Sequence, residues 1–396
     1  MATIATPTAA APQRYMQGIA VPASSVRPPE FFARTRRHIS LERSFTYDGS
    51  ETQTVVELRK SDILAGIDVR FTGSVTVAPG TGTVASTARW PYDLLRALRF
   101  TANGASNIIN VSGLKLKVRD IMKRSDLTDR GVSQTFGGSA KSNGTLAIAS
   151  EAWGVGANSS GLAAGTYDVE LVWHVPVAED EQDLAGAIFL ATSSSDLTLT
   201  LDYAQKADLF AITGDAAVDI DGTFQVSSTK YSIPIGQDGQ IVVPDLSVFH
   251  SLIQSRYANG VQAGENELRL IGQGAGKSLL RIFFQVYNGT PAAPLAMNAA
   301  NFGRQAWRYA NNETPDAFHD GTHMRVDSER RYNSDIGALW GFGCHDFAHE
   351  NAFRDVVDMG TTSELRLVTT INSDVALTSP AVEIVQETVF LAGQAV

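Results

Sequence analysis

One stretch limits the fold of this chain more than any other. From Tyr167 to Val177, six apolar side chains (Tyr167, Val169, Leu171, Trp173, Val175 and Val177) share one parity, and Asp168, Glu170 and His174 take the other. A two-residue period of this kind directs one face into a core and the other outward, so the stretch is expected to be a long half-buried strand with Trp173 inside and His174 outside. A Val-Pro step and an acidic run (Glu179, Asp180, Glu181, Asp183) follow, then Leu184, Ala187, Ile188 and Phe189, read as a short helix capped by Asp183. Past the serines at 193–195 the alternation resumes with Leu197, Leu199, Leu201 and Tyr203.

The same period recurs through most of the chain. Ile67, Val69, Phe71, Val75 and Val77 alternate with polar residues, as do Leu114, Leu116 and Val118 with Lys115 and Lys117. Later strands are expected at 224–235, 267–271, 281–287, 364–371 and 382–391. Glycine-rich loops such as 137–144 and 154–165 separate the early ones, so the residues describe an all-β chain, a β-sandwich with elaborated loops. A helix is expected at 91–100, where Leu94, Leu95 and Leu98 share a face. Another is expected from Pro244 and Asp245 through Leu246, Phe249, Leu252 and Ile253. The second follows Ile241, Val242 and Val243, so an apolar strand, a Val-Pro step and an acidic cap occur twice, which suggests two similar domains in tandem.

Residues 1–43 are rich in Ala, Pro and Thr and then become basic, and they read as an arm. Pro28 and Pro29 are expected to prevent a helix from running through them. Phe31 and Phe32 are the candidate anchors, with Arg34, Arg36 and Arg37 beside them, for docking on a neighbouring subunit or an acidic surface. At 396 residues the chain can close two cores. Its net charge of -10 argues against direct nucleic-acid binding, which requires a surplus of Lys and Arg. The lone Cys344 excludes an intrachain disulfide. The start shows no export signal, and no apolar run is long enough to span a membrane, so the chain reads as soluble and made in the cytoplasm of its host.

The motifs with chemical potential are few. Gly272, Gly274, Gly276, Lys277 and Ser278 suggest a phosphate loop, but Ile271 stands where the first glycine is required and a strand pattern follows, so a hairpin turn is expected. Four of the seven histidines form two i, i+4 pairs, His319 with His323 and His345 with His349, in a long irregular region at 290–360. Imidazoles beside Cys344 are competent zinc ligands. Gly321, Gly341 and Gly343 argue against the helix that would bring each pair together, and a polar subunit-contact loop is the leading reading. No catalytic residue, cofactor site or metal site is assigned.

In order and spacing, YDVELVWHVPVAEDEQDLAGAIFL with LTLTLDYA, then PIGQDGQIVVPDLSVFHSL, then LLRIFFQVYNG resemble the major capsid proteins of tectivirus-like bacteriophages. The resemblance is close over 166–203 and 231–290 and loose over 45–391. It departs at the arm and has no counterpart for the histidines near 319–350. It implies a double jelly roll, two tandem eight-stranded barrels with a few short helices, divided as an arm (1–43), a first roll (44–217) and a second roll (218–396). It also implies a non-enzymatic homotrimer whose six rolls form a pseudo-hexagonal tile of an icosahedral virion shell. Its partners would be neighbouring trimers, other capsid proteins and an internal viral membrane. The alternative reading is a two-domain jelly-roll glycan-binding protein or glycan hydrolase, which would gather acids and aromatics in one cleft.

Overall fold

The computed structural model describes residues 14–16, 19–21, 28–123, 134–136, 139–141 and 164–391, apart from 79, 88, 103–104, 182, 191–196, 237–239, 272–275, 290–291, 309–316, 350–355 and 360–363. The glycines of the phosphate-loop motif at 272 and 274, and most of the 137–144 and 154–165 loops, lie outside these residues.

Eight strands build the first half: β1 (Arg37–Tyr47), β2 (Gln53–Glu57), β3 (Ile63–Ala78), β4 (Leu95–Ala102), β5 (Ala105–Val111), β6 (Gly165–Val175), β7 (Leu197–Tyr203) and β8 (Ala217–Tyr231). Eight more build the second: β9 (Val248–Tyr257), β10 (Gly264–Arg269), β11 (Lys277–Asn288), β12 (Phe302–Arg308), β13 (Ala317–Phe318), β14 (Phe342–Asp346), β15 (Arg366–Ile371) and β16 (Ala381–Leu391). In the first half the sheets run β1-β8-β3-β6 and β2-β7-β4-β5; in the second they run β9-β16-β11-β14 and β10-β15-β12-β13. Adding eight to each label of the first roll gives the second. Two sheets per half with this order are two jelly rolls.

The alternation at the centre of the sequence does what its period requires. In β6, Tyr167, Val169, Leu171, Trp173 and Val175 are buried, and the strand pairs antiparallel with β3 along its whole length, Gly165 opposite Val77 and Val175 opposite Ile67. Trp173 stacks on Phe224 at 6.2 Å, and Phe224 also meets Phe71 and Tyr47. His174 faces away from this cluster and binds Asp68 of β3 at 2.8 Å. Strand β3 is shared, since β8 covers its other edge from Ala217 to Tyr231.

Several expectations fail for identifiable reasons. Leu184–Phe189 is not a helix. Leu184 and Gly186 have positive φ (59° and 92°), and Asp183 accepts a hydrogen bond from the Ala185 amide at 2.9 Å, a local turn that competes with helix. Ile188 and Phe189 then pair with Leu64 and Ile63. The expected helix at Pro244–Ile253 fails the same way: Asp245 accepts from the Ser247 amide at 3.0 Å, and β9 begins at Val248. The sequence echo is therefore real, but what repeats is an aspartate turn.

Between Pro91 and Phe100, helical turn is confined to Tyr92–Leu94. Strand β4 follows, and a bulge against Asp202 and Tyr203 brings Leu95 and Leu98 to one face, which imitates a helical spacing. Leu114–Val118 belongs to a helix, α2 (Gly113–Lys123), while Pro28 and Pro29 open helix α1 (Pro28–Phe32), because proline fits a first helical turn. The described residues of 290–360 hold regular elements, α3 (Gly321–Tyr332), α4 (Ile336–Trp340) and strand β14. The division at 217/218 separates β8 from the sheet it completes, and the division at 43/44 falls inside β1.

Candidate functional site

Helix α2 connects β5 to β6, and α3 with α4 connects β13 to β14, the equivalent position in the second roll. Both helical connections sit where the rolls meet. There β5 and β9 pair in parallel at Leu252–Ile109 and Ile253–Asn110, joining the two halves edge to edge. Gly113 starts α2 pressed against Tyr92 and Trp173; a Cβ at this position would lie 2.1 Å from the Tyr92 carbonyl oxygen. The amide of Leu114 donates to buried Asp93 at 3.0 Å.

Lys115, Arg119 and Lys123 recur every four residues and so form one face of α2. That face turns inward, toward the last strand of the second roll. Lys115 bonds Glu383, which also accepts from Gln254 at 3.2 Å. Arg119 donates to Glu387 at 2.8 and 3.0 Å, and Arg281 reaches the other oxygen of Glu387 at 2.6 Å. His250 bridges Glu387 at 2.8 Å and the Pro176 carbonyl at 2.7 Å. Lys123 closes on Glu179 at 2.7 Å, and Arg281 contacts Asp346 at 3.3 Å. Of these groups, Lys115, Arg119, Glu179, His250, Arg281, Glu383 and Glu387 are almost fully buried.

Burial alone would raise the pKa of the Glu387 carboxyl, but Arg119, Arg281 and His250 hold it well below the usual carboxylate range. Glu383 is lowered as well, because Lys115 outweighs its desolvation. For Asp93 desolvation wins and the carboxyl is raised, despite Lys115 and Arg89. Four cations (Lys115, Arg119, Lys123 and Arg281) face four carboxylates (Glu179, Asp346, Glu383 and Glu387), so the seam is neutral in sum and specific in geometry.

The arm residues divide. Phe31 is fully buried in its own chain, against Phe32 and Tyr231, in a cluster that also holds Leu184 and Leu246 of the two aspartate turns. Arg34, Arg36 and Arg37 remain exposed on the surface, Arg37 3.6 Å from Glu181.

Of the four histidines, His319 and His323 meet, the His319 amide donating to His323 Nδ1 at 3.4 Å, and His323 and His345 both pack against Phe318. His319 and His323 flank the start of α3, where Asp320 caps the His323 amide at 2.8 Å. His345 is buried on β14, while His349 lies 3.8 Å from Asp346 and edge-on to Tyr332. Among the described residues, no three His, Cys, Asp or Glu side chains are grouped to hold a metal ion. Burial drives the His345 imidazole down to about 3 and pushes the Cys344 thiol up, leaving both neutral. A cavity of about 630 Å³ opens beside them, lined by His323, His345, Asp327, Arg331 and the aromatic rings of Trp307, Phe318 and Phe347.

Two rolls of one strand order, joined by a sheet pairing and a buried seam, define a double jelly roll of the kind found in viral major capsid proteins. Solved structures share the architecture. The major capsid protein of Sulfolobus turreted icosahedral virus superposes with a TM-score of 0.62 at 15% identity, over 90% of this chain and 97% of that one. The PBCV-1 virus capsid gives 0.53 at 12% identity, over 91% and 95%. Residues 3–238 match the family described as P3 major capsid protein N-terminal, and the chain belongs to that family. It is a viral major capsid protein, a component of the virion. No curated protein matches its sequence.

Proposed function

We propose that three copies of this chain assemble into a pseudo-hexagonal capsomer, the repeating tile of an icosahedral shell closed over an internal membrane. One observation carries the reading: the two rolls repeat a single strand order and are joined edge to edge, so three chains offer six similar rolls around a threefold axis. Neighbouring capsomers and other capsid proteins are then the partners, and the work is structural. The exposed Arg34, Arg36 and Arg37 suit an anionic lipid surface or an acidic neighbour, while Phe31 ties their segment to its own subunit. Light scattering on the purified protein tests the reading. The expected mass is three times 42.4 kDa, and a stable monomer at micromolar concentration would overturn it.

A further inference from the structure

We propose that the cavity between α3 and strands β12, β13 and β14 is a binding site for a neutral sugar residue. Its volume, about 630 Å³, lies in the range of small-molecule sites. Trp307, Phe318 and Phe347 line it, with the Trp307 and Phe347 rings 4.6 Å apart and Phe318 5.5 Å from the His345 ring. Trp307 and Phe347 are buried behind the wall, and half-buried Phe318 offers the apolar face against which the C–H face of a pyranose packs.

The polar part of the wall selects the ligand's chemistry. His345 is 3% exposed, and its Nε2 has no hydrogen-bond partner among the described residues. A buried ring nitrogen left in this way is costly unless something entering the cavity pairs with it. A hydroxyl both donates and accepts, so it satisfies Nε2 in either tautomer, whereas a carboxylate or an ammonium satisfies only one.

Charge points the same way. Asp327 is engaged by Arg330 at 2.9 Å and Arg331 at 2.7 Å, and Asp346 by Arg281 at 3.3 Å and the Tyr332 hydroxyl at 2.9 Å. No carboxylate or guanidinium in the wall is left to demand a charged ligand. The Asp327–Arg331 pair, joined through Arg331 Nε, still has acceptor and donor positions for adjacent hydroxyls. Burial raises the Cys344 thiol described above, so the wall supplies no ready thiolate for a soft metal.

Saturation-transfer NMR on the full-length protein tests this, with the methyl glycosides of glucose, galactose, mannose and N-acetylglucosamine as probes. At least one glycoside should receive saturation on its ring C–H protons. His345→Leu should reduce that transfer at least tenfold, and His345→Gln should retain it. Asp327→Asn, at the accessible rim, should weaken binding in a protein whose melting curve is unchanged, which covers the case in which a His345 variant fails to fold. Absence of transfer to all four glycosides, equal transfer in the Asp327→Asn protein, or tighter binding of glucose 6-phosphate than of the glucoside would each overturn the proposal. The readout does not depend on whether the protein is a monomer or a trimer.

Discussion

The interior of the first roll and the charged part of the seam between the rolls are buried to the same degree by opposite means. Inside the roll, Phe71, Trp173, Leu199 and Phe224 exclude water with apolar surface alone. Across the seam, Lys115, Arg119 and Arg281 meet Glu383 and Glu387 with almost no exposure. Apolar packing is strong but indifferent to small shifts in orientation, while charge pairs in a dry setting tolerate only the arrangement that matches them. The difference teaches a division of labour: the interiors hold each roll folded, and the seam fixes one roll relative to the other. A capsid tile requires both, because an error in the angle between rolls would repeat in every copy.

The largest expected effect lies in the interior. Trp173→Asp places an unpaired charge in the ring cluster, a cost of several kcal/mol against a total stability of roughly 5–15 kcal/mol. No soluble folded protein should be recovered, as judged by circular dichroism. Normal yield and spectrum would mean that the buried face of β6 is misassigned.

A smaller effect separates the two regions by pH. The folded pKa of Glu383 and of Glu387 is depressed, so the seam contributes fully above the unfolded value of 4.5 and loses its contribution as pH falls from there toward the folded values. His345 acts over a different window. Its folded pKa of about 3 lies below the unfolded 6.5, so between those values the unfolded chain binds a proton that the folded chain refuses. Stability should therefore fall by about 1.4 kcal/mol per pH unit as pH drops through that window, and His345→Leu should flatten the decline between pH 6 and 5. Urea titrations at each pH measure both windows. An unchanged slope in the variant would remove His345 from the account.

The interior was legible in the sequence and the seam was not, for one physical reason. Tyr167 to Val175 obey the rule that apolar residues go inside and polar ones outside, and the period alone identifies the strand. Lys115 and Lys117 break the rule. Read as solvent-facing, they turn α2 into an alternating strand, whereas Lys115, Arg119 and Lys123 at i, i+4 and i+8 were the available helical signal. The matching signal on the other side was Glu383 and Glu387, two carboxylates of one parity in a largely apolar strand. The aspartate turns were misread because Asp followed by Leu serves equally as a helix cap or as a two-residue turn, and the left-handed Leu184 and Gly186 are settled by tertiary packing. The aromatic and acidic lining of the second-roll cavity comes from three strands and a helix within residues 307–347, and no single period joins them.

The division of labour is tested most directly by urea unfolding of Glu387→Ala beside Glu170→Ala. Glu170 pairs with Arg70 on the exposed face of β6, where the pair is worth about 0–1 kcal/mol. Removing Glu387 takes its paired carboxylate from buried Arg119, leaving it the Glu179 carbonyl at 3.1 Å, and leaves Arg281 with Asp346 at 3.3 Å, at a cost of about 3–5 kcal/mol. The account predicts a large drop in the unfolding midpoint for the seam variant and almost none for the surface variant. Equal midpoints for the two proteins would contradict it.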